Sequence, residues 1–266
     1  MTTATDADRP VPVSTDTTST AEAVRVNPVR AVRGVGVMVG GPLVLLAAFV
    51  VSAVHSIRAL RHGRPPRPAA VVVLGTAAAY RRWTRPWMRR WGATGAEAAM
   101  RLPGDDGVSS PGARQTRAVQ IDAAAHAVWP WIAQIGQDRG GFYSYEWLEN
   151  LAGCRMTNAD RIHPEWGLRT VGESVLLHPD TGLKVLQFVP GRMLVLESGW
   201  SFTLVPDGPA SCRLLTRFIA PTGVAGIAYA MLVELPHFIM ERKMLLEINR
   251  RVMSSGGRHL PAGATA

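Results

Sequence analysis

The chain is 266 residues long, with 47% hydrophobic residues, a formal net charge of +9 and a pI near 10.6. That apolar content excludes a disordered chain, and two cysteines, Cys154 and Cys212, exclude a disulfide framework or a paired-cysteine metal site. The charge would suit a nucleic-acid binder only if it belonged to the whole chain, and it does not. Residues 1–24 carry one Arg and four acids, residues 25–91 carry twelve Arg and no acid, and residues 92–266 carry sixteen basic and sixteen acidic groups. No nucleic-acid partner is therefore expected.

Residues 1–24, rich in Thr and Ser, are expected to be a disordered tail. Residues 25–91 read as a membrane anchor. Gly34 to Ile57 holds no charged residue, and a helix of that length crosses a hydrocarbon core of about 30 Å. Arg25, Arg30 and Arg33 stand before it, and Arg58, Arg61, Arg64 and Arg67 after it. A second apolar stretch, 68–83, is either a second span or an interfacial segment. Trp83, Trp87 and Trp91 follow at intervals of four, on one face of a helix, with Arg82, Arg85 and Arg89 on another. That pairing suits a headgroup layer and makes membrane lipids an expected partner. With one span or with two, the distribution of Arg places the C-terminal part on the cytoplasmic side of the inner membrane. Both cysteines are then expected as free thiols.

Residues 92–114 read as a linker, because Pro103-Gly104 and Pro111-Gly112 break it. A domain spans 115–255, and 256–266 form a second disordered tail. Thr116–Ile121 alternates as a strand with Val119 and Ile121 on one face, and Asp122 is the expected cap of a helix over 124–134. A short helix is expected over 144–151. Five short strands follow, at 174–178, 184–189, 193–197, 200–205 and 213–218, separated by turn signals such as Pro190-Gly191 and Asp207-Gly208. From Val224 to Met253 the period becomes helical, interrupted at Pro236; Glu234 and Pro236 argue against a membrane span there. Glu234, Phe238, Glu241, Leu245, Ile248 and Val252 share one stripe.

The order of elements implies an α+β domain, a curved antiparallel sheet around a long C-terminal helix, preceded by one or two transmembrane helices. The segments RPWMRRWGAT (85–94), LPGDD (102–106), VWPW (128–131), GQDRGGFYSYEWLEN (136–150), IHPEW (162–166) and PHFIMERKML (236–245) together resemble membrane-anchored actinobacterial proteins of the SRPBCC superfamily, the group of START, Bet v 1 and polyketide cyclase-like domains. The resemblance covers residues 80–252. It implies the helix-grip fold and a hydrophobic cavity, but no reaction, because the superfamily holds carriers, receptors and enzymes.

The expected function is a membrane-tethered binding or transfer protein for a hydrophobic small molecule or lipid, held between sheet and terminal helix. The alternative is a cyclase, dehydratase or hydrolase acting in the same cavity, with Glu241, Glu234 or His178 as the acid–base candidates. Tyr143, Tyr145, Trp147, Trp166, Phe202, Phe238 and Glu241 are the candidate ligand-binding residues, and His237 and Met240 lie on the adjacent stripe. A buried carboxylate needs a partner, and Arg139 or Arg161 is expected to supply one to Glu241. His163, Glu165 and His178 lack the spacing of a metal site, so no metal or cofactor is expected.

Overall fold

The computed structural model describes residues 68–107 and 114–256, together with 51, 54, 58, 61 and 62. The tail read at 1–24, most of the span read at 34–57, residues 108–113 of the linker and nearly all of the tail read at 256–266 lie outside the described residues.

Helix α1 (Pro68–Ala79) opens with a proline, whose missing N–H is unneeded in a first turn. It runs through a π turn at Tyr80–Thr84 into α2 (Arg85–Arg89). In that turn the Arg85 N–H reaches the Tyr80 carbonyl, five residues back. Pro86 can neither donate to the carbonyl of Arg82 nor pack closely against it, and the widened turn beside it relieves both problems. Helix α3 (Gly95–Ala99) is closed by a capping box between Thr94 and Glu97.

Six strands form one antiparallel sheet: β1 (Arg114–Ile121), β2 (Ser174–His178), β3 (Thr181–Val189), β4 (Met193–Leu196), β5 (Ser201–Pro206) and β6 (Cys212–Ile219). Their order is β1-β6-β5-β4-β3-β2, so the first two strands of the chain are the two edges. Between them the chain makes α4 (Ala125–Ala133), α5 (Glu146–Leu151) and a long loop. The cap of α4 is Ala124, without a side-chain bond, and not Asp122 as the sequence suggests. After β6 come α6 (Gly223–Leu232) and α7 (Glu234–Gly256). The two are bent by 63° at Val233. Pro236 explains the break: it cannot bond the carbonyl of Leu232, where an unbroken helix would need it. Among the described residues no single helix is long and apolar enough to cross a membrane; only this bent pair passes by length and composition.

Helix α7 lies along the sheet. Its stripe is buried in full, from Glu234 through Phe238, Glu241, Leu245 and Ile248 to Val252. Odd-numbered residues of β1 face it, and even-numbered ones face the other way. The outer face of β1 and β6 is covered too. Leu102, Ala118 and Leu215 make a small apolar cluster there. Arg217 reaches out of β6 to Asp105, to Thr116 Oγ1 at 3.1 Å and to the carbonyls of Met100 (2.9 Å), Glu97 and Ala98. Arg213 pairs with Glu97 at 2.8 Å. Residues 92–107, read from sequence as a linker, are thus packed on the sheet. Proline and glycine there shape a covering segment and do not free it.

Candidate functional site

A cavity of about 390 Å³ lies between α7 and the concave side of the sheet. Pro236, His237, Met240, Glu241 and Met244 of α7 form one wall. Leu177 of β2, Leu183 of β3, Phe218 of β6 and Trp200 form the opposite one. Tyr229 and Val233 close the side toward α6, while Phe142, Ser144, Glu149, Cys154 and Met156 close the side toward α5. The volume falls in the range of small-molecule sites, and the mix of apolar walls with a few polar groups is what such sites show.

Of the ligand-binding candidates, only Glu241 lines this cavity, joined by His237 and Met240. Tyr143 lies in the core, where Gln134 Nε2 donates to its hydroxyl at 2.9 Å and the hydroxyl donates to the Trp131 carbonyl at 3.1 Å. Tyr145 faces Lys243, and Trp147 is 67% exposed beside it on an outer groove. Trp166 stacks on His163, centroids 4.1 Å apart. Phe202 packs beside Trp200, and Phe238 meets Trp87 edge-on at 5.4 Å. His178 stays at the end of β2, its Nδ1 accepting from the Asp180 N–H.

The misplacement of the 143–147 aromatics has a local cause. Gly136 and Gly141 pair as an isolated bridge, and a side chain at Gly141 would meet Asn158 Oδ1 at 2.5 Å. Asn158 accepts from the Tyr143 N–H and holds that residue in the left-handed region at φ 55°. Tyr143 is thereby buried in the core, and Phe142 and Ser144, its neighbours, line the cavity.

The carboxylates of α7 are paired. Arg117 of β1 forms an ion pair with Glu241, both nearly fully buried, and Trp200 Nε1 donates to the other carboxylate oxygen at 3.1 Å. The partner is therefore Arg117, not Arg139 or Arg161. Arg139 pairs instead with Glu173 at 2.7 Å. Burial, the largest single influence, would push Glu241 up, but Arg117, His237 and Trp200 together outweigh it and hold the carboxyl below its ordinary range. Arg117 also donates to the Met88 carbonyl at 2.9 Å and to Gln115 Oε1 at 2.6 Å.

Gln115 Nε2 in turn approaches Glu234, which Arg85 and Arg89 bind at 2.6 Å each. Two of the arginines read as headgroup contacts thus hold α2 against α7. Trp91 is partly buried under Arg242, while Trp83 and Trp87 remain exposed beside Arg82 on an outer groove. Tyr229 Oη stands 2.7 Å from His237 Nδ1. Burial, against the pull of Glu241, lowers the pKa of His237 and favours a neutral ring.

On the α5 side the polar groups are not satisfied. Glu149 is 4% exposed and Ser144 8%, and among the described residues neither Glu149 Oε2 nor Ser144 Oγ has a hydrogen-bond partner. Burial, with Glu146 adding to it, pushes the Glu149 carboxyl up to about 7. Between 4.5, its ordinary value, and about 7 the folded chain keeps a proton that the unfolded chain has lost. Stability is expected to fall as pH rises through that window, by about 3 kcal/mol at most. In Glu149→Gln the fall disappears: parent and variant are equally stable at pH 4, and the variant is the more stable at pH 8. Urea unfolding at the two pH values checks this; a parent that loses nothing relative to the variant contradicts it.

Cys154 and Cys212 are free thiols, and burial pushes Cys154 up to about 11. Among the described residues no group of three His, Cys, Asp or Glu is placed to hold a metal. His163 and Glu165 do meet, at 3.1 Å, but as an isolated pair near the surface.

No protein-family model and no curated protein matches the chain. The chain is similar to a polyketide-cyclase-like protein. That protein comes from Corynebacterium glutamicum and was solved by NMR; it is 15% identical, and the match covers 56% of this chain and 97% of that one at a TM-score of 0.32. At that score the likeness adds nothing to the site, which stands on its own residues.

Proposed function

We propose that this protein binds or transfers a hydrophobic small molecule or lipid while tethered to a membrane. The observation that carries the reading is the cavity itself: about 390 Å³ lined mainly by Phe, Met, Leu, Trp and Val side chains beside α7. An apolar molecule entering it removes apolar surface from water on both sides, worth about 25 cal/mol per Å².

Support for the tether comes from the uncharged sequence at 34–57 and from exposed apolar side chains on α1 and α6. Val71, Val72 and Leu74 of α1 are exposed, as are Val224, Ile227 and Met231 of α6, whose Tyr229 lines the cavity on its other side. Exposed apolar faces of this kind mark contact with a membrane or a partner. The excess of Arg on either side of the spans favours a cytoplasmic position for the domain. A ligand could then pass between bilayer and cavity along α6.

The enzymatic alternative has less to stand on. Glu241 and Glu234 are engaged by arginines, and His178 is not among the residues that line the cavity. The test is mass spectrometry of an organic-solvent extract of the full chain purified in detergent, against a mock preparation from the same cells. One apolar species near one per chain is the expected result. An extract indistinguishable from the mock would count against the reading.

A further inference from the structure

Two polar groups on the cavity wall have no partner among the described residues, and their chemistry is informative. Most polar groups on the wall are engaged within the protein. Glu241 has Arg117 and Trp200, His237 has Tyr229, and the Cys154 thiol donates to the Leu177 carbonyl at 3.3 Å. Glu149 Oε2 and Ser144 Oγ are the exceptions, buried and without a partner. A buried carboxylate oxygen left unpaired is costly, and such atoms in native proteins call for an ion or ligand.

The surroundings define the ligand's charge. Among the described residues no Lys or Arg lines the cavity, and burial favours the neutral form of His237, the one basic group that does. Glu146 stands close enough to Glu149 to add negative potential. An anionic head would meet a carboxylate there with no cation to offset it, whereas a donor bearing positive charge would find both oxygens free. We propose that the cavity takes an apolar molecule ending in a protonated amine, its ammonium held by Glu149 Oε2 and Ser144 Oγ and its chain packed along Met156, Leu183 and Phe218. This rests on the ligand-binding reading and narrows it to a class.

The experiment uses three probes of equal chain length, decylamine, 1-decanol and decanoate, each added to the full chain in detergent micelles at pH 8. Native mass spectrometry then reads one-to-one adducts. Decylamine is expected to bind tightest, about tenfold over decanol, because a charge-assisted hydrogen bond outweighs a neutral one. Decanoate should bind weakest. Glu149→Gln should cost decylamine about tenfold, leave decanol within a few-fold and strengthen decanoate; Ser144→Ala should weaken decylamine a few-fold. The gain of decanoate in Glu149→Gln cannot come from a misfolded variant. If the three probes bind alike, or if Glu149→Gln leaves their order unchanged, the amine assignment is overturned while the apolar cavity stands. If none binds to the parent chain, both readings are overturned.

Discussion

Arg117→Met is expected to destabilise the domain by about 3–5 kcal/mol, the cost of leaving a buried carboxylate without its counter-ion. Glu241 is 2% exposed and projects from the middle of α7 into the space between that helix and β1. In the variant Trp200 would still donate to it, with His237 Nε2 4.0 Å away, and neither replaces the lost charge. The loss should reach further than the pair, because Arg117 also fixes the Met88 carbonyl of α2 and the Gln115 amide, which leads to Glu234. Stabilities of single domains are about 5–15 kcal/mol, so the variant is expected near the edge of folding. The double variant Arg117→Met with Glu241→Leu should recover most of the loss, since it removes both charges and fills the space with apolar atoms. Urea unfolding followed by tryptophan fluorescence distinguishes the cases. A double variant no more stable than the single one would show that the ion pair is not the reason for the loss.

The second large effect belongs to the opposite face of the sheet. Arg217→Met is expected to cost about 3 kcal/mol or more, because Asp105 loses its buried partner and the carbonyls of Glu97, Ala98 and Met100 lose a donor. Arg114, 3.6 Å from the other oxygen of Asp105, offsets only part of the charge. The segment 92–107 should then detach before the sheet unfolds, and limited proteolysis should cut it there first. Equal protease resistance in parent and variant would contradict the reading of this segment as part of the packed domain.

These two arginines also show where sequence reasoning stopped. The stripe on α7 was legible because helical periodicity survives a break that falls before its first buried residue, and the strands were legible because each alternates between short turns. Arg117 could have been found: it lies on the β1 face of Val119 and Ile121, two residues from one and four from the other. Charge alone makes an arginine read as exposed, and only the carboxylate opposite, from a residue 124 positions later, shows otherwise. The segment 92–107 was misread for a related reason, since Pro, Gly and Asp describe a turn-rich path and say nothing of Arg217 waiting across the sheet. The cavity residues were harder still. Local reading gave the aromatics at 143, 145 and 147, and a single left-handed residue, Tyr143, put Phe142 and Ser144 at the cavity instead. Glu149 was assigned no role from sequence. Its burial follows from how α5 is set against α7 and the sheet, which no window of sequence contains.

The central claim is that the space between α7 and the sheet holds an apolar ligand, and filling that space tests it most directly. Ala152 lines the cavity just past the end of α5, so a larger side chain there takes up part of its volume. The measurement is the mass of the intact full chain, released from detergent micelles with whatever it carries, for the parent and for Ala152→Trp. The account predicts a bound apolar species on the parent and none on the variant, with the two equally well folded by tryptophan fluorescence and thermal unfolding. The same bound species at the same occupancy on both chains would contradict it.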